Sequence, residues 1–538
     1  MPPRKRANGQ AELFGVSSTK QIQDILWKAA DKLRGSMDAA QYKEFVLGLV
    51  FLKYVSDAFA ERRTQIKDSL SGIPENRHAQ FLDDRDEYAS ANVFWVPETA
   101  RWDYLVENAP TGVGALLDDA MDAIMRENRA LTGVLPKIFN RDNVDQKRLK
   151  ELVDLISDAR FTGHGDRPAQ DVLGEVYEYF LERFARAEGK RAGEFHTPPS
   201  VVRVLVEVLE PYQGRVYDPC CGAGGMFVKS KKFIEAHAGR DHTDDIAVYG
   251  QEANERTWRL AKMNLAIHGM DPIGIGNRWA DTFVDDKHPD MRADVIMANP
   301  PFNMSDWARR ESDLRWRFGA PPQSNANFAW LQHILSKLGD RGTAGVVLAN
   351  GSMSSKQSGE GEIRRAMVEA DLVACMVALP PNLFRNTAIP ACLWFLTKDK
   401  SPQGAKALAD RRGEVLFIDA RALGIMVDRT ERVLTDDDIA KVADTYHAWR
   451  GTKSAKTKGL TYENLPGFCY SARLDEVAAH DHVLTPGRYV GAVEADEDLD
   501  AEPVADRIAR LTKELHAHFD ESSRLEALVR EHLGELNV

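Results

Sequence analysis

From about residue 161 onward, six short apolar runs recur with segments of helix length between them. They are GRVYD (214–218), IAVYG (246–250), ADVIMA (293–298), AGVVLA (344–349), LVACMVAL (372–379) and ACLWFL (391–396). A strand that returns parallel to its predecessor needs a crossover of about a dozen residues or more, usually a helix. The alternation therefore predicts an α/β domain built on a mostly parallel sheet. In such sheets ligands sit outside the carboxyl ends of the strands, so the residues that follow each run are the candidates for chemistry.

The rest of the chain divides around that block. Residues 1–160 read as a helical N-terminal domain. Ser18 and Gln21 form a capping box, followed by Ile22, Ile25, Leu26, Ala29 and Leu33 at helical spacing. Tyr42 to Phe59 is apolar nearly all round and is expected to be a buried helix. Residues 161–475 read as the α/β domain, and 476–538 as a C-terminal linker and helical tail. From Gly491 onward the tail carries 13 acidic and 5 basic residues, while Val504, Ile508, Leu511, Leu515, Leu525, Val529 and Leu533 trace one apolar seam. That seam is a docking face, either for a partner helix or for the chain's own domain.

Composition narrows the function. The longest apolar run, FVLGLVFLKYV (45–55), is shorter than the roughly 20 residues a bilayer span needs, so no membrane association is expected. The basic N-terminus lacks the apolar segment of a secretory signal. Five scattered cysteines fit neither a disulfide framework nor a zinc site, and a reducing cytoplasm is the expected compartment. A net charge of -12 argues against a protein that grips nucleic acid over most of its own surface. Contact with DNA would be local, or shared with a more basic partner.

The first run ends in Asp218 and enters Pro219-Cys220-Cys221-Gly222-Ala223-Gly224-Gly225. A glycine-rich turn between strand and helix lets backbone approach a ligand closely. The spacing is neither that of a dinucleotide fingerprint nor of a phosphate loop. A carboxylate at Asp218 would repel a phosphate and favour a cationic ligand. Glu252, after the second run, is placed to accept from both hydroxyls of a ribose. Asp281 follows the next segment, where it could meet an adenine amine. S-adenosylmethionine answers to all three, with a ribose, a sulfonium, an ammonium and no phosphate.

The third run enters Asn299-Pro300-Pro301-Phe302. The amine of adenine is a poor nucleophile because its lone pair is delocalised into the ring. Two acceptors holding its N–H groups, the Asn299 side-chain oxygen and the Pro300 carbonyl, would make the nitrogen more tetrahedral. The prolines lock φ and remove donors, so the loop presents acceptors with little freedom. Phe302 offers a flat face for a base swung out of its helix. Downstream, Arg309, Arg310, Arg315 and Arg317 interleave with Trp307, Trp316 and Phe318. We take Arg309, Arg310, Arg315, Trp316 and Arg317 as a candidate DNA contact, arginines to phosphates and aromatics to bases.

These stretches resemble the modification (M) subunit of Type I restriction-modification systems, an adenine-N6 DNA methyltransferase. QYKEFVLGLVFLKYVSD (41–57) is similar to that family's N-terminal domain, and DVLGEVYEYFLERFA (171–185) with GEFHTPPSVV (193–202) to the entry of its catalytic domain. The resemblance implies a Rossmann-like, S-adenosylmethionine-dependent methyltransferase fold. It implies a cofactor loop at Glu194, Phe195, His196, Thr197, Pro198 and Pro199, where many members have an aromatic in place of His196. It also implies methionine-end contacts from Ala223, Gly224 and Gly225, and a catalytic motif at NPPF. SNANFAWLQHIL (324–335), LPPNLFRNTAIPACLWFL (379–396) and LTPGRYVG (484–491) are further family-like stretches. The partners implied are double-stranded DNA, a specificity (S) subunit flanked by two M chains, and a restriction (R) subunit. Two other readings stand beside it: a methyltransferase acting on a protein glutamine amide, and a non-catalytic DNA-clamping subunit.

Overall fold

The computed structural model describes residues 39–109, 112–142, 144–157, 169–188, 197–239, 242, 245–384, 389–402 and 408–492, with some positions between 512 and 525. The chain forms two compact units, Met1–Val490 and Gly491–Val538. In the second unit the described positions between 512 and 525 are helical, and Phe519 and Leu525 are exposed. The capping box at Ser18, the helical pattern from Ile22 to Leu33, Glu194, Phe195, His196 and the seam residues Val504, Ile508, Leu511, Leu515, Val529 and Leu533 lie outside the described residues.

The first unit begins with α1 (Ala39–Ser69). Its apolar residues from Phe45 to Val55 are buried, as a helix apolar on every side requires. Lys53, inside that stretch, is matched one turn on by Asp57 at 2.6 Å. Helices α2 (Val113–Glu127), α3 (Gln146–Ser157) and α4 (Ala169–Glu188) follow, then α5 (Pro199–Leu209), which starts on a proline where no backbone hydrogen bond is lost.

The sheet alternates with helices from there. In chain order come β1 (Gly214–Asp218), α6 (Gly225–His237), β2 (Ile246–Gly250), α7 (Glu255–Ile267) and β3 (Ala293–Ala298). Next are α8 (Asn327–Lys337), β4 (Leu338–Ala349), α9 (Glu360–Glu369), β5 (Val373–Ala378) and β6 (Ala391–Thr397). The last are β7 (Glu414–Asp419), α10 (Asp436–Arg450) and β8 (Cys469–Arg473). Strand order is β8-β7-β5-β6-β4-β3-β1-β2. All neighbours are parallel except β6, which lies antiparallel between β4 and β5, and the edge strand β8. Each of the six apolar runs falls on a strand; β7 and β8 are additional.

The helical start and the sheet share one core. Tyr54 of α1 donates to the Ile267 carbonyl at the end of α7, and Arg259 of α7 pairs with Glu44 of α1 at 3.2 Å. At the other end, Tyr489 stacks on Phe417 of β7 with ring centroids 3.8 Å apart, and Val477, Leu484 and Val490 are buried. Residues 476–490 therefore belong to the sheet's packing, and the compact unit ends at Val490, whereas the sequence pattern starts the linker and tail at 476. Among the described residues, no helix is long and apolar enough to cross a membrane.

Candidate active site

β1 lies between β2 and β3, and the chain leaves it first toward one neighbour and then toward the other. This reversal opens a crevice at the carboxyl ends of the strands. At the end of β1 the main chain is stitched to β2: Gln251 N donates to Asp218 O at 3.1 Å, and Cys221 N to Gln251 O at 2.9 Å. The chain then turns through Gly222 (φ 54°) and Gly224 (φ 77°), in the left-handed region that favours glycine. A Cβ at Gly222 or Gly225 would meet nothing within 4 Å, so the loop borders open space. Asn264 of α7 fastens it, donating from Nδ2 to the Ala223 carbonyl at 2.8 Å. That bond fixes the amide orientation and leaves Oδ1 buried without a donor among the described residues.

Two carboxylates frame the loop. Asp218 is 3% exposed and accepts from Cys220 N at 3.0 Å. Burial pushes its carboxyl up to about 7, and the nearby Glu252 charge acts in the same direction. Glu252 accepts from Gly222 N at 3.1 Å through one oxygen and from Asn254 N at 2.8 Å through the other. Ala280 N donates to the Glu252 carbonyl at 2.9 Å, which brings Asp281 alongside. Asp281 itself closes a turn, accepting from Phe283 N at 2.7 Å. The Cys220 and Cys221 thiols are driven far up by burial, which leaves them inert packing groups.

Asn299 follows the last residue of β3, which pairs with β1 through Val216–Val295 and Tyr217–Ile296. The loop beyond it is clamped by a reciprocal amide pair: Asn327 Oδ1 accepts from Asn303 N at 3.1 Å, and Asn327 Nδ2 donates to Asn303 Oδ1 at 2.9 Å. Asn303 sits at φ 51°, a conformation asparagine tolerates better than most residues. Pro300 is buried, Pro301 half-buried, and the half-buried Phe302 ring meets Phe384 edge-on at 5.5 Å.

One cavity joins these parts. It is lined by Thr197, Pro199, Asp218, Gly222, Ala223, Gly225 and Asn299, all singled out from sequence. Pro198, Gly224, Glu252, Asp281, Pro300, Pro301 and Phe302 stand outside its lining; Pro198 caps α5 and Gly224 caps α6. The sequence reading missed Glu178 and Glu182 of α4, Lys229 of α6 and Asn264. Glu178 gathers Lys229 at 3.2 Å, Lys232 at 2.6 Å and His268 at 3.2 Å, and these neighbours overcome burial to hold its carboxyl well below the usual range. The legible signal was Asn264, an amide inside the apolar helix LAKMNLAI.

The arginine-aromatic loop divides into two kinds of residue. Trp316 is buried beside Phe283 and Trp307, and its indole donates to Arg310 O at 2.7 Å. Arg315 is held by Asp313 and by the carbonyls of Thr282 and Phe283, and it donates to His333 Nδ1 at 3.1 Å. Burial and the Arg315 charge push the His333 imidazole down to about 3, keeping it neutral. The Arg315 and Trp316 side chains, both expected from sequence to contact DNA, brace the loop from inside. Arg309 donates to Pro321 O and pairs with Glu311, whereas Arg310 and Arg317 are exposed.

The chain matches the family models for an N-6 DNA methylase over residues 168–498 and for an HsdM N-terminal domain over 22–157. It is 47% identical over 462 residues to the Type I restriction enzyme HindI methylase subunit of Haemophilus influenzae, covering 82% of this chain and 99% of that one. It is 37% identical to the MjaIX methylase subunit of Methanocaldococcus jannaschii, covering 96% and 92%. Its fold resembles the crystal structure of a type I restriction-modification methyltransferase subunit from Streptococcus thermophilus, with a TM-score of 0.72 and 24% identity over 88% of this chain and all of that one. The chain therefore belongs to the family of Type I restriction enzyme methylase subunits, DNA methyltransferases that carry an N-6 DNA methylase domain behind an HsdM N-terminal domain.

Proposed function

We propose that this subunit transfers a methyl group from S-adenosylmethionine to the N6 amine of an adenine swung out of double-stranded DNA. In this reading it protects host DNA as the modification subunit of a cytoplasmic Type I complex, with two copies beside one specificity subunit and a restriction subunit joining for cleavage. The observation that carries the reading is the single cavity shared by the Gly222–Gly225 loop, Asp218 and Asn299. The cofactor fits the residues present: Asp218 and the buried Asn264 Oδ1 suit cationic or N–H groups, and the open space before Gly222 and Gly225 admits a ligand against backbone. When bound it supplies an electrophilic methyl group.

The chain's own groups then do the rest. Asp218, in its ionised form, balances positive charge. Glu252 accepts the ribose hydroxyls while holding the glycine loop by Gly222 N. Asn299 Oδ1 and the Pro300 carbonyl accept the two N–H groups of the adenine amine and raise its nucleophilicity, and Phe302 stacks on the base. Acceptors fixed before the reaction need no reorganisation as charge develops, which is the efficient form of electrostatic catalysis. The test is methyl transfer from labelled S-adenosylmethionine by the chain assembled with its specificity subunit, followed by nucleoside analysis. Label in N6-methyl-2′-deoxyadenosine supports the proposal; label in protein glutamine, or none, defeats it.

A further inference from the structure

Leu314 is 99% exposed, while among the described residues the next most exposed large apolar side chain, Ile273, is at 59%. It is not a mobile tip. Asp313 accepts from Arg315 N at 2.9 Å, Arg315 is locked to Asp313 and to the carbonyl of Thr282, and Trp316 is buried. The Thr282 hydroxyl donates in turn to Pro219 O at 2.6 Å, the residue after Asp218. Both sides of Leu314 are thus anchored inward, through two steps to the cofactor loop itself, and the leucine is left standing in water. Residues 306–317 set four arginines against three carboxylates in a chain whose balance is -12. Glu311 and Asp313 answer Arg309 and Arg315, and Arg310 and Arg317 flank Leu314 exposed.

An apolar side chain on an anchored backbone between exposed arginines suits one surface above others, a stack of bases between phosphates. Arginines fix position on the backbone, and apolar side chains that enter a stack separate its steps. We propose that Leu314 is a wedge that enters the duplex beside the target adenine and occupies the gap its departure leaves. The inference rests on the base-flipping reading above and adds the residue that lowers the cost of flipping.

The test compares Leu314→Ala and Leu314→Met with wild type, each full chain assembled with its specificity subunit. Methylation is measured on a fully paired duplex and on one with an abasic site opposite the target adenine, where unpairing is already achieved. Burying one leucine corresponds to a factor of roughly ten to a hundred, so Leu314→Ala should lose that much in kcat/KM on the paired duplex. Most of the loss should be recovered on the abasic duplex, and Leu314→Met should stay near wild type on both. Unchanged activity of Leu314→Ala on paired DNA, an equal loss on both duplexes, or loss of co-elution with the specificity subunit would each overturn the wedge. A wild-type complex that methylates adenine in neither duplex overturns the active-site reading, and the wedge with it.

Discussion

The Glu252 carboxylate accepts the backbone N–H of Gly222 at 3.1 Å, tying the end of β2 to the glycine turn after β1. One side chain thereby shapes the loop and is also the one assigned above to the ribose. Glu252→Ala should weaken S-adenosylmethionine binding by about 1.5–3 kcal/mol, the range for hydrogen bonds to a charged group. Calorimetry that shows unaltered affinity would move the ribose contact elsewhere.

Binding should also depend on pH through Asp218. Its carboxyl sits near 7 in the ligand-free protein, raised from 3.8 by burial. A cationic ligand favours the ionised form and so lowers that value. Affinity is therefore greatest above pH 7 and falls about tenfold per unit as pH drops below it, until the bound-state value is reached. Titrations near pH 7 in buffers of different ionisation enthalpy should show protons released on binding. Proton uptake, or affinity flat from pH 5 to 8, would remove Asp218 from contact with the ligand's charge.

Two arginines two residues apart should behave differently. Arg315→Ala leaves the Asp313 carboxylate, 13% exposed, without its partner, and should cost about 3 kcal/mol in urea denaturation. Arg317→Ala should leave stability unchanged and reduce the slope of DNA affinity against salt by about one. The reverse pattern would exchange their roles.

Much of this was legible because it rests on local chemistry. Strands ending in Asp218, Gly250 and Ala298 place Asp218, Glu252 and Asn299 at one sheet edge whatever the side-chain details. Other features needed three dimensions. The edge strand CYSAR mixes small and polar residues, since only one side of it is paired, and so left no apolar run. The burial of Trp316 and Arg315 depends on Thr282, Phe283 and His333, which are remote in sequence. Glu178 reaches the cavity from α4, ahead of the sheet, its lysine partners come from α6, and His268 lies just past α7.

The acidic tail offers a separate test. Because Met1–Val490 is a compact unit, a chain ending at 490 should fold and bind S-adenosylmethionine as the full chain does. If the tail is the docking element for the specificity subunit, the shortened chain should no longer co-elute with it in size-exclusion chromatography. Retained co-elution would place docking elsewhere, and aggregation of the shortened chain alone would mean that the tail covers its own domain.

The measurement that bears most directly on the account is the turnover of Asn299→Ala, assembled with the specificity subunit. Removing one preorganised polar contact commonly costs about 10²–10³ in rate. The account predicts a fall of at least that size in N6-methyladenine formation, with S-adenosylmethionine affinity nearly unchanged. Turnover near wild type would contradict it.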